Sequence, residues 1–314
     1  MKKRVYGIIG IKSIMANWNA DFTGYPKTTS DGSIFGSDKA LKYPMKKMWE
    51  NENEKILYIK SYKIDNEKGE TKLRPRSLKE RYEQIFNAED LKKEKSIENV
   101  LKNLFLATDV KNFGATFAEE GKNLSITGAV QITQGFNKYI DSIAEEQSIL
   151  SPFRNSKNSD DDNSTLGSKI VSNEAHYIYH FAINPRAYDE FKAMGVTEGY
   201  TEEDYAKFKR VALVSATSFN TNSKVGCENE LAVFIETDEN QYLPDLGNLV
   251  EFEKIDNDKN RFIFKFSELL NSFKESIQSI EVYYNPYNTE IEKTIEGAKY
   301  YNIFTREEVW KWKL

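Results

Sequence analysis

The sequence predicts an α+β fold. Three observations carry that prediction. β-rich apolar segments alternate irregularly with single amphipathic helices, a pattern that disfavours a doubly wound sheet. Hydrophobic residues are 39% of the 314 and aromatic residues 13%, enough for a sizeable core. No internal repeat is visible, so 1–314 is expected to be a single domain carrying insertions.

Arg4–Lys12 (RVYGIIGIK) is apolar and β-rich and reads as a buried first strand. Residues 13–36 are crowded with Asn, Asp, Thr, Ser and Gly and read as a long loop. Structureless loops of that length are uncommon inside a domain and are usually functional or disordered. Trp18, Phe22, Tyr25 and Phe35 argue that this one is ordered against something. Ser37 then has the character of an N-cap, with Asp38 in the first turn of a helix over 38–49. Leu41, Met45 and Met48 share one face of that helix. Lys39, Lys42 and Lys46 share another, nearly opposite. Pro44 predicts a kink or an early stop.

Lys55–Tyr62 reads as a strand. Ile97, Val100, Leu101, Leu104 and Phe105 follow helical spacing and predict a helix over 96–107. Leu124–Ile132 reads as a strand, Asn155–Gly167 as a mobile polar loop and Ile170–Ile183 as a strand. Thr201–Phe219 is helical in pattern, with Tyr205, Phe208, Val211 and Ala212 as its apolar stripe. Strands are predicted at Leu231–Glu236, Leu249–Lys254 and Arg261–Phe266, a helix at Ser267–Ile280 and a last strand near Val282–Tyr284.

Several function classes find no support. No stretch approaches the roughly 18 apolar residues of a membrane helix. The early run Tyr6–Ile11 lacks a small-residue cleavage site, so no signal peptide is expected. One cysteine, Cys227, excludes an internal disulfide and a zinc knuckle; a buried, inert thiol in a reducing compartment is the expectation. No P-loop, dinucleotide fingerprint or nucleophile elbow is present. His176 and His180 are the only histidines. On a strand their imidazoles stand roughly 13 Å apart, too far for one metal. On a helix they could chelate, but no third ligand is obvious, so a structural or surface role is expected. Asp21, Asp31 and Asp38 could gather around Mg²⁺; ordinary turn and cap chemistry is the simpler reading.

Charge is informative through its distribution. The net charge is −5, yet residues 1–49 hold nine basic and three acidic side chains, a local +6 against −11 for the other 265. That asymmetry suggests one anion-facing surface on an acidic body, unless the clustering is chance. The Lys39, Lys42, Lys46 stripe suits a phosphate backbone. Alone, such a stripe is more often a solvated face; the neighbouring aromatic loop adds stacking partners for a single strand.

Three blocks together are more specific than any part. The first is NWNAD (Asn17–Asp21) followed by FGSDKALK (Phe35–Lys42). The second is DVKNFGATF (Asp109–Phe117) followed by SITGAVQI (Ser125–Ile132). The third is NEAHYIYHFAINP (Asn173–Pro185) followed by FNTNSKVGCENELAVFIE (Phe219–Glu236). In this order they resemble the Cas-seven family, the backbone subunits of type I CRISPR Cascade complexes, with the subtype I-B branch nearest. The resemblance implies a modified RNA-recognition-motif (ferredoxin-like) palm with inserted finger and thumb elements, the thumb between roughly His180 and Gly226. It implies a homo-oligomeric helical filament along the guide RNA (crRNA), partnered by other Cascade subunits and, through the guide, by target DNA. It implies RNA contacts at Asn17, Asn19, Ser37, Lys39, Lys42 and Lys46, no catalytic residues, no metal, no cofactor, no membrane and a cytoplasmic site of action. The alternative is a metal-dependent ribonuclease: type III relatives cut RNA with an aspartate in the comparable loop, where this chain has Asp21. The SDKALK helix looks type I, so Asp21 is assigned to structure.

Overall fold

The computed structural model describes residues 1–67, 70–154, 164–256 and 259–309. β1 (Arg4–Ala16) runs beyond its predicted end at Lys12 and is followed, after a loop, by the short β2 (Phe35–Gly36) and by α1 (Asp38–Asn51). An insert comes next: β3 (Tyr62–Glu67), β4 (Glu70–Pro75), α2 (Leu78–Phe86), α3 (Ile97–Leu106), α4 (Thr108–Phe113), β5 (Gly114–Glu119) and β6 (Lys122–Thr127). β7 (Val130–Ile132), β8 (Gly135–Asn137), β9 (Ala144–Arg154) and β10 (Ser164–Ile183) lead to α5 (Asp189–Ala193), α6 (Glu202–Ala212) and β11 (Cys227–Thr237). β12 (Val250–Lys254), β13 (Asn260–Phe264), α7 (Ser267–Asn271), β14 (Ile277–Tyr284), β15 (Thr289–Glu292) and β16 (Lys299–Asn302) complete the described chain.

β1 is the axis of the main sheet, whose strand order is β16-β14-β11-β1-β10-β8-β2, with β7 and β9 also on β10. It pairs antiparallel with β10 on one side and β11 on the other, so Val5 stands between Ile183 and Glu236. β7 and β8 run antiparallel to β10. The inner order is therefore β11-β1-β10-β7/β8. It interleaves two strand–helix–strand units: β1 to β7 through α1 and the insert, and β10 to β11 through α6.

Both faces of this sheet are covered, which is why RVYGIIGIK reads as unbroken apolar sequence rather than alternation. Val5, Ile9 and Ile11 pack among Leu41, Met45, Trp49 and Phe208 on the helical side. Tyr6 and Ile8 pack among Leu246, Phe262 and Phe264 beneath a three-stranded sheet of β12, β13 and β15. Burying each such side chain contributes about 1.5–3 kcal/mol. The close approach needs Gly7: a Cβ there would lie 1.9 Å from the Val233 carbonyl oxygen.

The two layers are also tied by a buried polar group. His176 of β10 is fully buried, with Nδ1 2.8 Å from Glu230 Oε1 and Nε2 3.0 Å from Glu174 Oε1. Its ring stacks on Phe252 of β12 at 3.9 Å, and Lys254 of β12 pairs with Glu174. Burial alone would push the imidazole pKa down, but the Glu230 and Glu174 carboxylates outweigh it and hold it above the ordinary value. The His176 bond holds Glu174 down at about 2, against burial and with help from Lys254. His180 is likewise buried, its Nδ1 accepting from Leu246 N, and burial lowers its pKa. Both histidines are structural.

Several predicted elements change form. Pro44 does not stop α1, which runs on to Asn51. Ser37 Oγ accepts from Ala40 N at 3.2 Å as an N-cap; Leu41, Met45 and Trp49 are buried, whereas Met48 is only partly so. Only Tyr62 of Lys55–Tyr62 is extended, as the first residue of β3, and the segment is not a strand of its own. Its backbone groups are taken up by side chains instead, Leu57 N and Tyr58 N by Asp109 and the Ile56 carbonyl by Arg81. Leu124–Ile132 divides into β6 and β7 around Gly128, and Ser267–Ile280 keeps one helical turn before β14 begins at Ile277. Of the predicted loop at 155–167, residues 155–163 lie outside the described residues and Ser164–Gly167 belong to β10.

The segment 180–226 holds the end of β10, α5, α6 and the approach to β11. His180–Ile183 finish β10, and α6 buries Tyr205, Phe208, Val211 and Ala212 in the helical-side core. A stripe of four buried side chains pins α6 down as a crossover helix. What extends from the sheet is the ribbon of β9 on the first half of β10, paired from Ser164–Arg154 to Ser172–Ala144.

Candidate nucleic-acid interface

α1 runs along one side of a cleft of about 650 Å³, and Lys39, Lys42 and Lys46 all line it. Tyr58, Phe113 and the start of β5 form its other walls. The predicted stripe thus does converge, but its three members differ. Lys39 is exposed and pairs with no carboxylate among the described residues. Lys42 Nζ is 2.9 Å from Asp38 Oδ2 and 5.0 Å from the Phe113 ring centroid. Lys46 is mostly buried: it donates to the Tyr58 carbonyl at 3.2 Å and stands 3.6 Å from Asp109 Oδ2. Burial pushes its pKa down, partly offset by Asp109. Burial, with Asp109 adjacent, pushes the Tyr58 phenol up to about 12.

Asp109 is the hub of the far wall. It is almost fully buried and accepts from Leu57 N and Tyr58 N, each at 2.8 Å. α4 then ends at Gly114, with φ +83°, where a Cβ would lie 2.2 Å from the Ile126 carbonyl oxygen and 2.5 Å from Gly128 N. Only glycine fits this approach of β5 to β6, and it sets Phe113 at the cleft.

The other site residues expected from resemblance make hydrogen bonds within the chain. Asn17 is buried and its Nδ2 donates to the Gly24 and Ile170 carbonyls, closing the loop onto β10. Asn19 Oδ1 accepts from Ser37 N at 2.7 Å, and Ser37 caps α1. Together they fix the start of the lysine helix without lining the cleft. Lys224 fastens the loop from outside, its ammonium bonded to the Asn17 and Trp18 carbonyls and set over the Trp18 ring; burial pulls its pKa down to about 8. Asp21 accepts from Thr23 N, Thr23 Oγ1 and Tyr25 N, and Asp31 accepts from Ser33 N and Thr29 Oγ1, so both serve their own turns. Among the described residues no group of three or more His, Cys, Asp or Glu is placed to hold a metal ion. Cys227 is buried, beside Ser13 Oγ at 3.4 Å, and burial raises its pKa. No helix among the described residues is long and apolar enough to cross a membrane.

A family model described as CRISPR-associated protein Cas7 matches residues 3–271. The chain belongs to the Cas7 family. No curated protein matches it in sequence. A chain from a solved "CRISPR RNA-guided surveillance complex, pre-nicking" shares the fold, with TM-score 0.53, 13% identity and coverage of 95% of this chain and 96% of that one. A chain of a second "CRISPR RNA-guided surveillance complex" aligns at TM-score 0.49 and 12% identity over 90% of this chain and 91% of its own.

For this Cas7 chain, spacing alone found the lysines but not what surrounds them. Asp109 and Phe113 lie in the DVKNFGATF block, which carried the resemblance without revealing that it faces α1. Tyr58 was hidden by the strand reading of 55–62.

Proposed function

We propose that the chain is a non-catalytic guide-RNA-binding backbone subunit of a type I CRISPR surveillance complex, acting in the cytoplasm. Copies would stack along the guide and present it for pairing with target DNA beside the other subunits. The observation that carries this reading is the cleft: three lysines of one helix above aromatic rings, in a Cas7-family chain. Cations and rings of this kind hold a sugar–phosphate chain without reading sequence, which is left to base pairing.

The inner strand order β11-β1-β10-β7/β8 supports reading the sheet as an RNA-recognition-motif palm. On this reading the insert from β3 to β6 is the finger region, and the β9–β10 ribbon takes the part of the thumb. An open RNA-recognition sheet would stack bases on its face. Here that face is covered, so RNA has to run beside α1. The ribonuclease alternative finds no supporting contact: the Asp21 carboxylate is taken up by Thr23 and Tyr25.

The test is RNA binding by the purified full chain. An unstructured RNA should bind with salt-dependent affinity and stay intact in Mg²⁺. Lys39→Gln with Lys42→Gln should weaken it about tenfold or more, equally across sequences. Wild-type protein with no RNA affinity, or one that cleaves RNA until Asp21 is replaced by Ala, overturns the proposal.

A further inference from the structure

The three cleft lysines do not have the same partners, and the differences are large enough to assign separate work. The Lys46 ammonium is held by two groups from the opposite wall, the Tyr58 carbonyl and the Asp109 carboxylate. It also lies 5.7 Å from the Tyr58 ring centroid and 5.9 Å from that of Phe113. Asp109 is committed in turn to Leu57 N and Tyr58 N. Tyr58 is held a third time by its own hydroxyl, which donates to the Thr116 carbonyl at 2.6 Å. A buried ammonium with an anionic partner would have to abandon that partner to meet a phosphate. Asp109 would keep its two backbone donors but lose its counter-charge in the interior, which costs more than an exposed phosphate contact returns.

We propose that Lys46 is a positioning residue rather than a phosphate contact. With Asp109 it braces Tyr58 and Phe113 as the far wall of the cleft, and the phosphates fall to Lys39 and Lys42. This rests on the RNA-binding reading above and divides its site. Asp38 cancels part of the Lys42 charge, and Asp109 that of Lys46. Lys39 is the cleft lysine without an anionic partner among the described residues.

The salt dependence of RNA affinity separates the roles, since each phosphate contact on a single strand contributes about 0.7 to the log–log slope. A uridine homopolymer and the full chain are the reagents. Lys39→Gln should lower the slope by about 0.7. Lys46→Met should weaken Kd about fivefold at unchanged slope. A Lys46→Met slope that falls as far as that of Lys39→Gln overturns the assignment. So does a Lys46→Met preparation with fewer active molecules but wild-type Kd, the mark of a merely architectural residue. If Lys39→Gln and Lys42→Gln both leave the slope unchanged, the RNA-binding reading fails as well. A second measurement needs no variant. Under an amine-acylating reagent, Lys39 should react quickly in free protein and be protected by RNA, while Lys46 stays slow in both. Fast labelling of Lys46 that RNA suppresses refutes the proposal.

Discussion

Two aspartates decide how much of the α1 charge a ligand can feel. Asp38 lies in the first turn, where an anion suits the helix dipole, and it also holds Lys42 one turn on. A half-buried helix pair of this i,i+4 kind is worth roughly 0.3–0.5 kcal/mol, little enough for a phosphate to displace. Asp38→Asn should therefore tighten RNA binding about two- to threefold and steepen its salt dependence, at a cost of a few tenths of a kcal/mol in helix stability. Salt titration of Kd checks the first and thermal melting the second; unchanged affinity would mean that Lys42 does not meet phosphate. The lysines' common face was legible from their spacing. Their inequality was not, because Asp109 comes from a helix far along the chain and spacing within α1 carries no information about it.

Individual elements were legible where one physical rule acts alone. The stripe on α6, the capped start of α1 and the apolar run of β1 all follow from periodicity and cap chemistry. Reading failed where side chains took over the work of a neighbouring strand, as at Leu57 and Tyr58, and where an element packs only one face, as in the β3–β4 hairpin with Ile64 and Leu73 exposed. The α4–β5 corner shows how narrow the tolerance can be. Gly114→Ala combines a left-handed backbone with a Cβ 2.2 Å from the Ile126 carbonyl oxygen, and should cost about 1–3 kcal/mol. The urea midpoint should fall accordingly, and RNA affinity with it as Phe113 shifts. A variant with wild-type midpoint would show that this corner relaxes freely.

At the scale of the molecule, the covering sheet is attached through apolar packing and through the Glu230–His176–Glu174–Lys254 chain. His176 has a folded-state pKa above its ordinary 6.5. Its stabilisation is therefore complete below that value and is lost as pH climbs through the raised one. Glu174, lowered to about 2, stabilises fully above its ordinary 4.5 and loses this only in strong acid. Thermal stability should hold between these limits and decline as the solution turns alkaline past the His176 value. His176→Leu, which strands Glu230 and leaves Glu174 with Lys254 alone, should cost about 3–5 kcal/mol and remove that alkaline decline. A melting temperature with the same alkaline profile in the variant would show that His176 does not couple the two layers to pH.

The placement of β1 at the axis also has a consequence for synthesis. Its hydrogen-bonding partners are Ser172–Ile183 and Cys227–Thr237, so this apolar strand leaves the ribosome well before either of them and waits for both to be translated. Through that interval it is a bare, sticky ribbon, the kind of segment that chaperones shelter and that drives inclusion bodies when translation outruns them. A permuted gene that makes this strand last would remove the wait.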